Sequence, residues 1–296
     1  MANKINDRRS VGMFIASMLI FGTIGIIRRT IPLPSAFLAF ARGILGGLFL
    51  MGFVRIRGKK AASGMPGRTM GRLALTGAMI GINWMLLFEA YNYTTVAVAT
   101  LCYYMQPTIV MLVSPLLFRE RLTGKKAVCA AISLMGMALV SGVIGEGGGA
   151  GGDARGILLG LGAAALYAGV IIMNKKTQGA DPYQRTTVQL LAAGVVMIPY
   201  LLATNGFSGI AMDGRTMLLL ATVGIVHTGI AYVMYFGSMG GMSVHSIAVL
   251  SYIDPVAALL FSAALLREPL QPLNIVGAVM IIGSAMVSEL GQGREA

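Results

Sequence analysis

Charged side chains are scarce in this chain of 296 residues. They make up 11% of the sequence, against about 25% in an average soluble domain. Hydrophobic residues make up 56%, and the mean hydropathy is +0.78. A chain with so few charges cannot cover a water-facing surface, so the composition excludes an ordinary soluble protein. It predicts an integral membrane protein that crosses a lipid bilayer several times.

Cysteine, histidine and several catalytic motifs are also rare or missing. Cys102 and Cys129 both lie in apolar runs, and the two histidines, His227 and His245, form no cluster with ligand spacing. We therefore expect no disulfide framework, no metal site and no cofactor. The absence of a G-x-x-x-x-G-K-[ST] motif speaks against an ATP-driven pump. The chain also lacks a nucleophile elbow and an interfacial cluster of carboxylates, so we do not expect an enzyme.

Ten apolar runs have the length of a membrane-spanning helix, which needs about 20 residues. None of them alternates polar and apolar residues as a barrel strand does, so they predict helices. The predicted helices are 11–29, 35–55, 70–90, 94–117, 125–144, 156–175, 183–204, 215–237, 243–266 and 273–290. We therefore predict an all-α integral membrane protein with ten transmembrane helices.

The second half of the chain repeats the first. Six residues around two prolines recur at an offset of 148 residues (252 − 104), which is half of the chain length. A glycine linker at about 145–154 falls at the midpoint. We predict two five-helix repeats, residues 1–147 and residues 148–296. The repeated pairs are Tyr104 and Tyr252, Pro107 and Pro255, Ser114 and Ser262, Leu117 and Leu265, Arg119 and Arg267, and Glu120 and Glu268.

The net charge of +12 arises from basic residues in short segments between the apolar runs. This placement speaks against a nucleic-acid partner and instead predicts the orientation. Most of the basic residues fall on one side of the membrane, which places both chain ends in the cytoplasm by the positive-inside rule. Because each repeat has an odd number of helices, the two repeats have opposite orientations. Inverted repeats of this kind recur in secondary transporters, whose substrate sites lie near the midplane of the bilayer.

Longer stretches around the two proline blocks form a recognisable pattern. They read "FEAYNYTTVAVATLCYYMQP" (88–107), "PLLFRERLTGKKAVCAAISLMGMALV" (115–140) and "SYIDPVAALLFSAALLREPLQPLNIVGAVMIIGSAMV" (251–287), with "AFARGILGGLFL" (39–50) in the second helix. Together they resemble the EamA-type branch of the drug/metabolite transporter superfamily, a group of ten-helix carriers. The resemblance implies export or exchange of small organic solutes, such as amino acids, amines or other metabolites, from a central cavity. Glu89 and Tyr91 depart from the family pattern.

Asp254 is the first candidate for coupling, because an ionisable residue inside the membrane is costly and marks a functional site by default. It precedes Pro255 near the middle of the ninth predicted helix, where proline frees backbone groups. A carboxylate there can exchange a proton for a cation. The alternative is that Asp254 pairs with Arg42 or with hydroxyl groups and only holds helices together. His227, mid-way along the eighth predicted helix, is the second coupling candidate, although a lone histidine is more often a core residue.

Arg42 and a set of polar-tipped aromatic residues are the candidates for a substrate cavity. Arg42 can bind a substrate carboxylate through two parallel hydrogen bonds, or it can be structural and either extend towards the membrane surface or pair with a helix carbonyl. Aromatic faces suit aromatic solutes or cationic amines, although Tyr and Trp also pack in cores and at membrane interfaces. The predicted cavity residues are Asn83, Trp84, Tyr103, Tyr104, Gln106, Tyr232, Tyr252 and Arg42.

Residues near the predicted membrane edges are given structural interpretations. Glu89 is expected to be exposed on the outer side, with outer gating as the alternative, and Tyr91 is expected to belong to the aromatic belt. The two Arg-Glu pairs are expected to order loops and to fix helix positions. The fifth and tenth helices are uniformly apolar, which suits peripheral packing or a contact between two copies of the chain.

Together these features predict a secondary-active transporter, an exporter of small organic solutes in a cell membrane. It would work by alternating access around a cavity formed by helices 1–4 and 6–9. The expected partners are a small-molecule substrate, the bilayer, a proton as the coupling ion and a second copy in a homodimer. A passive facilitator or channel is the alternative, although no ring of like charges supports an ion channel. An integral membrane enzyme is the third hypothesis.

Overall fold

The computed structural model describes residues 8–58, 65–118, 123–140, 153–175 and 181–292. Across these ranges the chain forms helices, joined by turns and short irregular segments, and no strand. The predicted all-α class is therefore confirmed. Arg119, Glu120 and the linker residues 145–152 lie outside the described ranges, as do most of the two chain ends.

Within the described ranges the chain forms ten helices, some of which are divided into segments. The first five are α1 (Arg8–Gly22 and Ile24–Thr30), α2 (Ser35–Ile56), α3 (Gly67–Tyr93), α4 (Val96–Tyr103 and Gln106–Phe118) and α5 (Gly124–Val140). The other five are α6 (Ala154–Lys175), α7 (Pro182–Val195 and Met197–Ala203), α8 (Gly214–Ala221, the π-helix Thr222–Ile230 and Ala231–Met239), α9 (Val244–Ser251 and Ile253–Leu266) and α10 (Pro272–Gln292). Each of them overlaps one of the ten predicted runs.

Eight of the described helices, α1–α4 and α6–α9, are long and apolar enough to cross a membrane. Over the residues that the structure describes, α5 and the apolar part of α10 are shorter, at 17 residues or fewer. Large apolar side chains such as Leu158, Leu260 and Val279 are exposed on the outside of the bundle. This is expected of side chains that contact lipid, and it agrees with an integral membrane protein.

The helices run in alternate directions, so the bundle has two faces. We call the end where α6 finishes and α7 begins the Arg185 face. The opposite end, where α9 finishes, is the Glu268 face. Two contacts place other helix ends on the Glu268 face: the Asp153 amide bonds the Tyr93 carbonyl, and Glu268 bonds the Val96 amide. Both halves of the chain therefore contribute to each face.

The helix contacts bring the two halves around one centre. α3 packs against α6 and α7, α2 against α7 and α8, and α1 against α8 and α9. α5 and α10 pack against each other, and a Cβ added to Gly277 would lie 2.6 Å from the Gly136 carbonyl oxygen. In lipid, helix association depends on close packing of small residues more than on the hydrophobic effect. Glycine at these two positions therefore allows the backbones of α5 and α10 to touch.

Five of the described helices are interrupted within their length, α7 among them at Val196. α4 and α9 break at the repeat mates Tyr104 and Tyr252, just before the segments that contain Pro107 and Pro255, since proline removes a helical hydrogen bond. α1 is interrupted at Thr23, and α8 widens into a nine-residue π-helix. π-helical segments inside α-helices occur frequently at functional sites. The prolines indicate the interruptions of α4 and α9, whereas no residue pattern in the sequence indicates the π-helix.

Candidate functional site

A cavity of about 1180 Å³ lies at the centre of the bundle. Small-molecule sites usually measure about 300–1,000 Å³, so a metabolite-sized solute fits with water around it. The lining reaches Lys126, Lys175 and Arg185 at the Arg185 face, where Lys175 is exposed. In the other direction it stops at Tyr91 and Thr100. The cavity therefore opens at the Arg185 face and is closed towards the Glu268 face.

Glu268 is the first part of this closure. Its carboxylate accepts hydrogen bonds from the Val96 amide at 3.1 and 2.9 Å and from the Ala97 amide at 3.4 Å. It also forms an ion pair with Arg29 at 3.4 Å, and Arg29 donates to the Thr94 carbonyl at 2.7 Å. A carboxylate at a helix N-terminus is stabilised by the free amides and by the helix dipole. Glu268, from the second half, thus holds the start of α4, in the first half.

A second set of polar contacts lies beside it and joins α1, α2 and α3. Arg28 is 6% exposed and donates to Ser35 at 2.9 Å and to Asn92 at 3.1 Å. Ser35 and Asn92 in turn donate to the Glu89 carboxylate at 2.6 and 3.1 Å. The prediction that Glu89 is simply exposed is therefore wrong, because its carboxylate is half-buried and accepts two side-chain hydrogen bonds.

Arg42 lies in the interior of the bundle and lines the cavity. Its guanidinium stands 4.0 Å from the Trp84 ring centroid, and its Nε donates to Thr228 at 3.0 Å. Thr228 lies in the π-helix and donates to the Val223 carbonyl, five residues back, at 2.9 Å. The wider turn of the π-helix thus presents Thr228 to α2, where it orients the arginine. One structural alternative was that Arg42 extends to the membrane surface. The structure shows that it does not.

Asp254 lines the same cavity, and the Tyr104 hydroxyl donates to its Oδ2. This contact joins the interrupted part of α4 to the interrupted part of α9. No ion pair joins Asp254 to Arg42 among the described contacts, so the hydroxyl-pairing alternative is the one observed. Gln106, which replaces the aspartate in the first repeat, lines the cavity with its Oε1 buried and without a hydrogen-bond partner.

His227 is buried and lies behind the cavity wall instead of in its described lining. Its Nε2 is 2.8 Å from the Thr23 hydroxyl, and its Nδ1 is 3.3 Å from the Thr222 carbonyl oxygen. Thr23 marks the interruption of α1. The imidazole therefore ties the π-helix of α8 to the interrupted part of α1.

The aromatic residues of the lining form a wall made of two groups of rings, one around Tyr103 and one around Tyr232. The Tyr103 ring is 5.9 Å from Tyr104 and 5.7 Å from Tyr167, and Tyr232 stacks on Phe236 at 5.8 Å. All but one of the predicted cavity residues are brought together along this lining: Arg42, Trp84, Tyr103, Tyr104, Gln106, Tyr232 and Tyr252.

Asn83 is the exception, and its prediction as a cavity residue is wrong. It is fully buried and donates to the Ala163 carbonyl of α6, outside the cavity lining. Tyr91, expected in the aromatic belt, is instead 2% exposed and lines the cavity. Both corrections follow from the helical period, because positions seven apart share a face and adjacent positions do not. Tyr91 is seven residues after Trp84, so this spacing could have identified it.

The polar residues at the mouth of the cavity were missed as site residues. Lys126, Lys175 and Arg185 line it there, although in the sequence they are only part of the basic charge that indicates the orientation of the chain. Gln189 also lines it and donates to Thr76 at 2.7 Å and to Asn174 at 2.9 Å. The lining includes residues of α5 and α10 as well, so the expected cavity of helices 1–4 and 6–9 was too narrow. Residues of α5, α7 and α10 are far apart in the chain, so the sequence gives little indication that they meet at the cavity.

Known proteins share both the sequence pattern and this architecture. The chain is 28% identical over 282 residues to an uncharacterized transporter of Bacillus subtilis, covering 95% of this chain and 89% of that one. It is 28% identical over 204 residues to a protein of Salmonella typhimurium named "Probable amino-acid metabolite efflux pump", covering 65% and 67%. A crystal structure with 19% identity has the same fold, with a TM-score of 0.67 and coverage of 96% and 98%. The EamA-like transporter family model matches residues 8–142 and again residues 154–289, so this chain belongs to the EamA-like transporter family.

Proposed function

We propose that this transporter is a secondary-active exporter of small organic solutes that works by alternating access. The observation that carries the proposal is the central cavity, which opens at the Arg185 face and is closed at the Glu268 face. Alternating access requires a site that reaches one side of the membrane at a time. A facilitator with a continuous pore would need an opening at both faces, so the passive alternative is the less favoured one.

The Arg185 face is proposed to be cytoplasmic, with both chain ends on that side of a cell membrane. Basic residues concentrate at helix ends on this face, and the positive-inside rule retains such segments in the cytoplasm. They include Arg55, Arg57, Arg68, Arg72, Lys125, Lys126, Lys175 and Arg185. The structure would then be the state that loads solute from the cytoplasm, as an exporter requires.

Release on the other side requires the Glu268 closure to open. Glu268 joins the two repeats, and Arg28 joins neighbouring helices of one repeat, through polar contacts. Rocking one inverted repeat against the other would separate Glu268 from Val96 without disturbing the packing within each repeat. The helix interruptions at Thr23, Tyr104 and Tyr252 lie beside the cavity, where small changes in backbone angles would re-aim the outer segments.

Asp254 is proposed to couple transport to the proton gradient. It is the only acid among the described lining residues, and its hydrogen bond to Tyr104 joins the two repeats. Protonation would remove the charge that Tyr104 stabilises and would weaken this connection. Coupling through Asp254 would be asymmetric, because the equivalent position in the first repeat is the neutral Gln106.

The test begins with a screen of amino acids, polyamines and quaternary amines for thermal stabilisation of the purified protein, since a ligand stabilises the state that it binds. Stabilising solutes are then followed in proteoliposomes with an imposed pH gradient. We expect gradient-dependent flux that is lost in Asp254→Asn and kept in Asp213→Asn, which changes an exposed helix-capping aspartate. Flux that ignores the gradient and survives Asp254→Asn would support the passive facilitator.

A further inference from the structure

The charges along the cavity are unequal in sign. Four described lining residues are basic, Arg42, Lys126, Lys175 and Arg185, and Asp254 is the only acidic one among them. If all five are ionised, the lining carries a net charge of +3. The aromatic wall, by itself, suits a cationic amine as well as an aromatic acid. The charge balance separates these two classes, because a cation would meet mostly like charges on its way in.

The three basic residues at the mouth differ from other basic residues of the same face. Lys125 and Lys126 are adjacent at the start of α5, but only Lys126 lines the cavity. Arg185 lies in the first turn of α7, and its Nε is buried without a hydrogen-bond partner. A buried donor with no partner costs free energy. Topology alone explains a basic residue at this face, but it does not explain a guanidinium turned into the cavity wall with a donor left open.

Arg42 supplies a second cation deep in the same cavity. Only its Nε is committed to Thr228 among the described hydrogen bonds, and its guanidinium plane lies over Trp84. The planar guanidinium is suited to a carboxylate, which it can bind through two parallel bonds. An anionic group entering past Arg185 would therefore find a second guanidinium at the closed end of the cavity, beside the aromatic wall.

We propose that the transported solutes carry a carboxylate or a similar anionic group. Arg185, with Lys126 and Lys175, forms a first site for this group at the mouth, and Arg42 forms the second site beside Trp84. That these solutes are transported rests on the proposed function, whereas anion selection by the cavity stands without it. Clefts lined by one sign of charge raise the local concentration of the opposite ion and speed its capture.

Trp84 is a reporter for this inference, because it is the single tryptophan of the chain and it lines the cavity. We would measure quenching of its fluorescence by iodide and by caesium in micelles with a neutral headgroup, at constant ionic strength. The expected result is an iodide quenching constant several-fold above that of caesium. The difference should shrink at about 1 M salt, where the screening length falls to about 3 Å. Equal quenching by the two ions overturns the proposal.

Matched variants separate the mouth site from the general basic character of the face. Arg185→Gln is expected to lower the iodide constant about two- to threefold, Arg185→Lys to preserve most of it, and Lys125→Gln to leave it unchanged. Adding anionic lipid to the micelles tests whether the mouth binds a headgroup instead, in which case lipid would abolish the effect of Arg185→Gln. An equal loss in Lys125→Gln and Arg185→Gln overturns a specific site.

The chemical class is tested with two probes that share an aromatic ring, phenyllactate and phenethylamine. Phenyllactate is expected to protect Trp84 from iodide, with a half-effective concentration about tenfold higher in Arg185→Gln, whereas phenethylamine should protect weakly in both proteins. Equal protection by the amine overturns the anion preference. Anion selection without solute flux would contradict the proposed transport function alone, and flux without anion selection would contradict this inference alone.

Discussion

The two faces of the bundle use charge in opposite ways. At the Glu268 face, Glu268 and Arg28 are engaged in hydrogen bonds with helix ends and neighbouring side chains, and the way into the cavity is closed. At the Arg185 face, Lys126, Lys175 and Arg185 stand around an opening. Charges bound to helix termini are part of the closure, whereas the charges around the mouth line the cavity, where we propose that they bind the solute. A transporter built from inverted repeats can therefore have charged residues on both faces, where they close one face and line the opening of the other.

Arg28→Ala should have the largest effect on this difference. The substitution leaves Ser35, Asn92 and Glu89 without the buried donor that organises them. We expect the free energy of unfolding to fall by about 2 kcal/mol, as for a lost hydrogen-bonding partner of buried groups, measured by thermal denaturation in detergent. Arg29→Ala, whose side chain is 36% exposed, should cost less than about 1 kcal/mol. Equal losses would mean that burial at Arg28 contributes nothing.

Glu268→Gln should open the closed face without unfolding the protein. The carboxamide keeps the shape but loses the charge that binds the Val96 amide and Arg29. With Thr100→Cys as a reporter at the closed end of the cavity, labelling by an impermeant maleimide from the Glu268 face should rise about tenfold, equivalent to about 1.4 kcal/mol. Rates from each side of reconstituted vesicles, in a chain with Cys102 and Cys129 replaced by alanine, provide the measurement. Unchanged labelling would assign the closure to other contacts.

Thr228→Ala should affect the orientation of Arg42 in the central cavity, which lies between the two faces. Without its hydroxyl, Arg42 loses the bond that orients it over Trp84. A typical hydrogen bond contributes about 1 kcal/mol, and its loss corresponds to a roughly fivefold higher half-saturating concentration in flux assays. Thr222→Ala is the matched control, because its hydroxyl bonds the Leu218 carbonyl on its own helix. A similar shift in both variants would indicate a general effect on the π-helix.

Asp153→Asn should have the smallest effect of the four. Asp153 and Arg155 form an exposed pair at the Glu268 face, 3.9 Å apart. Exposed ion pairs contribute about 0–1 kcal/mol, so neither thermal stability nor maleimide labelling of Thr100→Cys should change measurably. A gain in labelling close to that of Glu268→Gln would show that any charge lost at this face opens it, and would remove the distinction between the closure and its surroundings.

Much of the fold was predictable because lipid imposes simple rules on sequence. Apolar length gives the helices, and a constant offset gives the repeat. Polar residues inside the runs, among them Arg42 and Asp254, were identifiable because burying them is costly. Prediction failed where the answer depended on which side of a helix faces a neighbour. Asn83 and Trp84 are adjacent, yet one bonds α6 and the other lines the cavity.

The sequence by itself determined the membrane class, the helices, the repeat and the list of costly polar residues. Only the tertiary structure decided that Glu268 bonds the amide of Val96, 172 residues away, that the π-helix brings Thr228 to Arg42, and that Arg185 faces the cavity. The physical reason is that hydropathy is a property of each segment alone. A closure, a mouth and an oriented guanidinium depend instead on how helices from both halves pack, and that packing is set by contacts between distant residues.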